Sequence, residues 1–319
     1  MQFRTQIPIS KSNHPIDYHS KILSLGSCFA VNMAEKFDYF KFQNTTNPFG
    51  IIFNPVSIER IIQRAVTKEL FTVKDIFFHN DLWHCYEVHS ELSNPDKDVF
   101  LDKLNTLIKD FNYQITKVSH CLITFGTSWV YRNLESNNIV ANCHKVPQKQ
   151  FTKELLSVDV IQKSIQNTID LIQSLNPNVK FIFTVSPVRH IKDGFVENQL
   201  SKAHLFTGLH HIVTTHNSQP TTHIYFPSYE IMMDELRDYR FYTEDMLHPN
   251  QVAIDYIWQR FSENYIEENS IPTMKLVSEI QKGLTHRSFN PDSEQHLAFL
   301  SKLYLKIDAL QQKHPHIKF

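Results

Sequence analysis

Glycine is what this chain most lacks. It has 6 in 319 residues, where ordinary usage of roughly 7% would supply about 22, so the position of each one is informative. Cysteine is also sparse: Cys28, Cys85, Cys121 and Cys143 lie 57, 36 and 22 residues apart with no C-x-x-C pair. That spacing argues against zinc ribbons and redox dithiols and leaves reduced thiols as the expectation. No apolar run approaches the ~20 residues of a transmembrane helix. The first twenty residues, with Gln6, Ser10, Lys11, Asn13 and His14, hold no signal-peptide core. A soluble cytoplasmic protein that binds no membrane is expected. An excess of one charge is missing too: Lys+Arg 32 against Asp+Glu 33 gives a formal net charge of -1, without the basic footprint of a nucleic-acid binder.

What is present is a large apolar inventory, 41% hydrophobic and 12% aromatic, enough to bury a sizeable core and to exclude collagen-like, disordered and low-complexity classes. The 18 histidines are scattered. Their densest group, His204, His210, His211 and His216, has no carboxylate at ligand spacing, so a polar helix face is the first reading and a metal site the second. No metal and no cofactor is expected.

Four segments rich in β-branched and aromatic residues read as buried strands: Lys21 to Leu25, Val118 to Phe125, Val179 to Val185 and His223 to Phe226. A fifth is placed around Phe40 to Gln43. Helical patterns lie between and after them. The clearest runs from Ser157 to Leu175, with Ile161, Ile165, Ile169, Ile172 and Leu175 at 3.6-like spacing, and stops at Asn176-Pro177. Another follows Pro249, with Ile254, Ile257 and Phe261 on one stripe. The alternation predicts an α/β fold: a doubly wound, mainly parallel five-stranded sheet in an α/β/α arrangement.

Two hairpins interrupt it, Ile76 to Val88 turning at Asn80-Asp81 and Val130 to Val140 turning near Ser136-Asn137-Asn138. Beyond a core domain of residues 1–266, residues 267–319 read as a helical extension. Its two helices are Met274 to Leu284 and Asp292 to Lys313, the second with Leu297, Leu300, Tyr304, Ile307 and Leu310 on one face. Packing on the domain's own surface is the first reading of this pair, a homodimer contact the second.

Three glycines end apolar runs or sit in turns: Gly26 after Ile22-Leu23-Ser24-Leu25, Gly126 after Leu122-Ile123-Thr124-Phe125, and Gly50 in Asn47-Pro48-Phe49-Gly50. In a doubly wound sheet the ligand crevice opens at the carboxyl ends of strands, where glycine lets backbone approach a ligand. Ser27 and Cys28 follow Gly26 and lead into a helix from Val31 to Phe37. A thiol or hydroxyl there would gain from the helix dipole and unpaired N–H groups, which lower a nucleophile's pKa. Ser27 is also a good N-cap, and a lone Cys near an apolar helix start is more often an inert small hydrophobe, which is the reading these residues alone favour. Far downstream, Asp245-Met246-Leu247-His248 precedes a helix, and an acid three residues before a histidine can orient an imidazole toward a nucleophile.

This order of parts resembles the SGNH, or GDSL-like, hydrolase superfamily. The literal string Gly26-Ser27-Cys28-Phe29-Ala30 resembles the name motif of the GSCFA family, itself similar to that superfamily. Asn47 to Pro55 (NPFGIIFNP), Asn142 to Pro147 (NCHKVP), Thr184 to His190 (TVSPVRH) and Tyr225 to Asp234 carry the likeness over roughly residues 5 to 265. The resemblance implies Cys28 as nucleophile, with Ser27 as the alternative, and His248 with Asp245 as the base pair. It implies an oxyanion hole at Gly50 and Gly126, with Thr127 and Ser128 where the superfamily has Gly-x-Asn, or with Asn142 substituting. An esterase or acyltransferase acting on a small-molecule or carbohydrate acyl ester is the activity implied. A binding protein that has lost catalysis is the alternative, because the usual Gly-Asp-Ser and the block-three Asn are both altered. Asn142, His144, Arg189 and His190 are the candidate substrate-binding residues. Arg189 could instead pair with Asp193, and the hairpin aromatics Trp83 and His84 are expected to pack rather than bind.

Overall fold

The computed structural model describes residues 5–215 and 222–319. Its central sheet has five strands, all parallel: β1 (Lys21–Gly26), β2 (Gln43–Thr46), β5 (His120–Phe125), β9 (Lys180–Val185) and β10 (His223–Tyr225), in the order β10-β9-β5-β1-β2. From β1 the chain first winds to one edge and then reverses to build the other. The switch point therefore falls between β1 and β5, the place where doubly wound sheets open their ligand crevice.

The fifth strand lies three residues beyond its expected position because Phe40 and Lys41 finish helix α1 (Cys28–Tyr39). Lys41 turns at φ 63°, and Phe42 drops into the core to stack on Tyr18 at 4.4 Å. Period-2 alternation sorts the strand residues between two cores. Leu23, Cys121, Ile123, Phe181 and Phe183 face one core, formed with α2 (Pro55–Thr67), α3 (Lys97–Ile115), α4 (Val158–Leu175) and α5 (Phe195–Thr215). Ile22, Leu122 and Ile182 face the other, formed with α1, α7 (Gln251–Tyr265), α8 (Ile271–Thr285) and α9 (Glu294–Lys313). Between β10 and α7 lie a short turn, α6 (Ser228–Glu230), continued by a π-helical turn, and then a 3-10 turn at Tyr239–Phe241.

Both hairpins form where expected. The first, β3 (Phe77–His79) with β4 (Leu82–His84), turns through Asn80 and Asp81, both at positive φ. The second, β6 (Trp129–Asn133) with β7 (Ile139–Val140), gains a third strand, β8 (Phe151–Leu155), whose pattern is too short to read alone. Trp83 packs against the core, and the His84 ring is held by Ser93 Oγ and the His79 carbonyl. No described helix is long and apolar enough to cross a membrane.

The C-terminal helices pack on the domain through Met274, Val277, Ile280, Leu303, Ile307 and Leu310. The expected apolar face of the last helix is only half right: Leu297 and Tyr304 are exposed, and Leu303, left out of the sequence stripe, is buried against Gly283. Leu303→Ala should lower unfolding free energy by about 2–5 kcal/mol, while Tyr304→Ala should change it by about 0.5 kcal/mol or less. Urea unfolding of both variants checks this.

Candidate active site

The turn that carries Ser27 and Cys28 is set by backbone. Gly26 ends β1 at φ 129°, and a Cβ there would lie 2.1 Å from the Thr124 carbonyl oxygen of β5, so only glycine fits. Asn47, just past β2, clamps this residue from both sides. The Gly26 N–H donates to Asn47 Oδ1 at 2.8 Å, and Asn47 Nδ2 donates to the Gly26 carbonyl at 3.2 Å. The Ser27 N–H donates to the Thr124 carbonyl at 3.1 Å. The chain then enters α1 with Ser27 at the N-cap and Cys28 as the first helical residue. The Ser27 side chain does no capping; it is 1% exposed, and its Oγ is buried without a partner. Cys28 is half-buried.

The expected depression of the thiol pKa is not found. Burial pushes the Cys28 thiol up and Asp245 adds to the rise, outweighing the backbone N–H groups of Phe29 and Cys28 and the charge of Lys202. A helix start lowers a thiol's pKa only while water still reaches it.

Asp245 and His248 form a closed local unit. Asp245 Oδ1 accepts from the backbone N–H groups of Leu247 and His248, at 2.9 and 3.0 Å, and from Thr243 Oγ1 at 2.7 Å. Its Oδ2 meets His248 Nδ1 at 2.5 Å. The His248 backbone N–H, then those of Leu247, the imidazole and Thr243, hold this carboxyl well below the usual carboxylate range. With Nδ1 engaged, Nε2 is the nitrogen left for a proton transfer. Asp245 acts electrostatically on Cys28, and His248 on His190, so one neighbourhood holds all four. Among the described residues no hydrogen bond joins Cys28 to His248.

The residues expected to form an oxyanion hole are already engaged. The Gly50 N–H closes a turn onto the Asn47 carbonyl at 2.8 Å, and the Gly126 N–H donates to the Phe53 carbonyl at 2.8 Å. Thr127 Oγ1 meets Ser201 Oγ at 2.7 Å. Ser128 donates its N–H to Ser201 Oγ and its hydroxyl to the Ser201 carbonyl. This stretch therefore ties β5 to α5. Asn142 and His144 also turn inward: Asn142 Oδ1 accepts from Ser90 Oγ and the His144 N–H, and His144 Nε2 meets the Cys85 carbonyl at 2.7 Å. Burial holds the His144 pKa down to about 4. Both serve the hairpin loops.

Two residues of this site carry more than their sequence signal suggested. Lys202, fully buried on α5, donates to the Gly126 carbonyl at 2.8 Å and the Ser186 carbonyl at 2.7 Å. Burial pushes its ammonium down to about 7, with Cys28 favouring its charge and Arg189 opposing it. A signal for it existed, since Asn198, Ser201, Lys202, Leu205 and Leu209 share one helical stripe and all are buried. His190 stacks on Phe53 at 5.5 Å, and its Nε2 is buried without a protein partner, 3.2 Å from where a Cβ on Gly126 would sit. Burial, then the Lys202 and His248 charges, push its pKa down to about 4, so the ring is neutral at pH 7. Arg189 does not pair with Asp193, which binds Lys153 at 2.5 Å. Among the described residues no group of three or more His, Cys, Asp or Glu is placed to hold a metal; His216 lies outside them.

Fold and site together define an α/β protein with a cysteine at the strand-to-helix turn of its switch point and an Asp-His pair beside it. The chain belongs to the GSCFA family, whose model matches residues 21–261, and the model of the GSCFA domain protein C-terminal domain matches residues 277–319. No curated protein matches the chain.

Gly26→Ala should cost about 3 kcal/mol or more, combining a disfavoured φ with overlap against backbone; thermal unfolding measures it. Lys202 gives a pH signature. Its folded pKa, about 7, lies below its unfolded value near 10.5. Between pH 7 and 9 the unfolded state thus holds the extra proton, and stability rises with pH. The wild type should gain on Lys202→Met at a rate approaching about 1.4 kcal/mol per pH unit. Urea unfolding at pH 7, 8 and 9 reads that difference.

Proposed function

We propose that this protein is an SGNH-like esterase or acyltransferase that uses Cys28 as nucleophile and the His248-Asp245 pair as base. The observation that carries this reading is that Asp245, which holds His248 Nδ1, acts electrostatically on the half-buried thiol at the start of α1. Of the two candidate nucleophiles, Ser27 is shut away at 1% exposure, which favours Cys28.

Because burial keeps the thiol protonated near neutral pH, attack requires a base. The Cys28 S–H proton passes to His248 Nε2 while sulfur bonds to the ester carbonyl carbon, giving a tetrahedral oxyanion. As the C–O bond to the alcohol breaks, the His248 proton passes to the leaving oxygen and a thioester remains. Water, or an acceptor hydroxyl, then loses its proton to His248 and attacks the thioester; the C–S bond breaks, sulfur takes the proton back from His248, and the acid or new ester is released. The N–H groups of Cys28 and Phe29 at the helix start, and neutral His190 with its unpartnered Nε2, stand in for the oxyanion donors that are engaged elsewhere. A carbohydrate or other small-molecule ester suits this reading, as does a reducing cytoplasm, given four free thiols.

A binding protein is the second reading, favoured by the raised thiol pKa and the engaged donors. Incubation with 4-nitrophenyl acetate, followed by mass spectrometry, separates the two. The wild type and Ser27→Ala should form an acyl adduct, and Cys28→Ala should not. His248→Ala should acylate about 10²–10⁴-fold more slowly, and His190→Ala about 10²–10³-fold more slowly. An adduct that persists in Cys28→Ala would remove the nucleophile assignment. No adduct and no turnover in any form would favour the binding protein.

A further inference from the structure

Arg189 lies three residues past the Ser186 carbonyl that receives Lys202. It lines a cavity of about 290 Å³ together with Phe195, Arg237, Tyr239, Tyr242 and Asp245. Its Nε is buried and unpartnered, and its guanidinium carbon lies 5.7 Å from the centre of the Phe195 ring. Among the described residues, the Arg189 guanidinium makes no ion pair and no hydrogen bond, and Arg237 makes no ion pair. The acids in the cavity wall do not neutralise them: Asp238 binds Arg240 at 2.9 Å, and Asp245 is committed to His248. A guanidinium donor withdrawn from water without a partner is disfavoured unless an anion completes it.

We infer that this cavity is a substrate subsite for an oxyanion, a carboxylate or phosphate group that takes the Arg189 fork, with Arg237 adding charge at the mouth. The guanidinium plane matches the two oxygens of such a group, and the rings of Phe195, Tyr239 and Tyr242 wall a flat or ring-shaped body. The volume, at the lower edge of ligand pockets, fits one sugar ring or a short acid. Asp245 belongs to both the cavity wall and the proposed base pair, so an acidic group held here lies beside the reacting ester. The subsite rests on the acyl-transfer reading for its place in a reaction, although its affinity for anions can be measured without one.

Two measurements on the full chain test it. In the first, thermal unfolding is followed with sodium succinate, sodium phosphate or sodium chloride at equal ionic strength. Succinate or phosphate should raise the wild-type Tm above chloride, and the larger effect tells carboxylate from phosphate; the rise should be lost in Arg189→Gln. In the second, mono-4-nitrophenyl succinate is compared with neutral 4-nitrophenyl acetate. The wild type should prefer the anionic ester in kcat/KM. In Arg189→Gln the KM for that ester should rise about 10- to 100-fold, the loss expected for hydrogen bonds to a charged group. Arg189→Lys should recover only part, because it restores charge without the fork. Equal anion stabilisation in wild type and Arg189→Gln, none in either, or ester turnover without anionic preference would overturn the subsite. Arg189-dependent anion stabilisation without turnover of either ester would uphold the subsite and overturn the acyl-transfer reading.

Discussion

A single buried ammonium group joins the parts of this site. Lys202 donates to the Gly126 and Ser186 carbonyls, which follow the adjacent strands β5 and β9 at their carboxyl ends. The neighbouring Ser201 binds Thr127 and Ser128. Helix α5 is thereby fixed across the mouth of the sheet. An ammonium without a carboxylate partner is an expensive thing to bury, and burial pushes its pKa down to about 7. The two carbonyl acceptors offset part of it. What the arrangement secures is the position of β5's outgoing chain, and with it the space at Gly126 into which His190 fits.

The same cation shapes the electrostatics around Cys28. It favours the thiolate and opposes protonation of His190. Burial sets the overall direction for the thiol, and among the described residues no hydrogen bond ties it to His248. His190 is the complementary case: burial and neighbouring positive charge keep its ring neutral, so its buried, unpartnered Nε2 brings no charge to the space at Gly126.

The strands, both hairpins and the helix from Ser157 were legible because each carries a local signal: β-branched runs, the Asn80-Asp81 turn, a clean 3.6-residue stripe. The Asp245-His248 unit was equally legible, since its hydrogen bonds span only three residues. The third strand of the second hairpin, Phe151–Leu155, was missed because five residues, one buried, two exposed and two half-buried, hold little periodic information. Leu303 was missed for a different reason. A stripe drawn on one helix cannot show which edge the neighbouring helix covers, and the approach of Gly283 rotated the buried face away from Leu297 and Tyr304.

By itself the sequence determined where backbone must bend and which chemistry stands at the bend: glycine at 26, a thiol at 28, and an acid-histidine pair in one short turn. These are local matters of φ, capping and short hydrogen bonds. Only the tertiary structure decided which donors are already engaged, that burial raises the thiol's pKa, and that Lys202, His190 and Arg189 surround the site. Desolvation depends on what packs over a group, and the covering residues come from strands and helices more than a hundred positions apart in the chain.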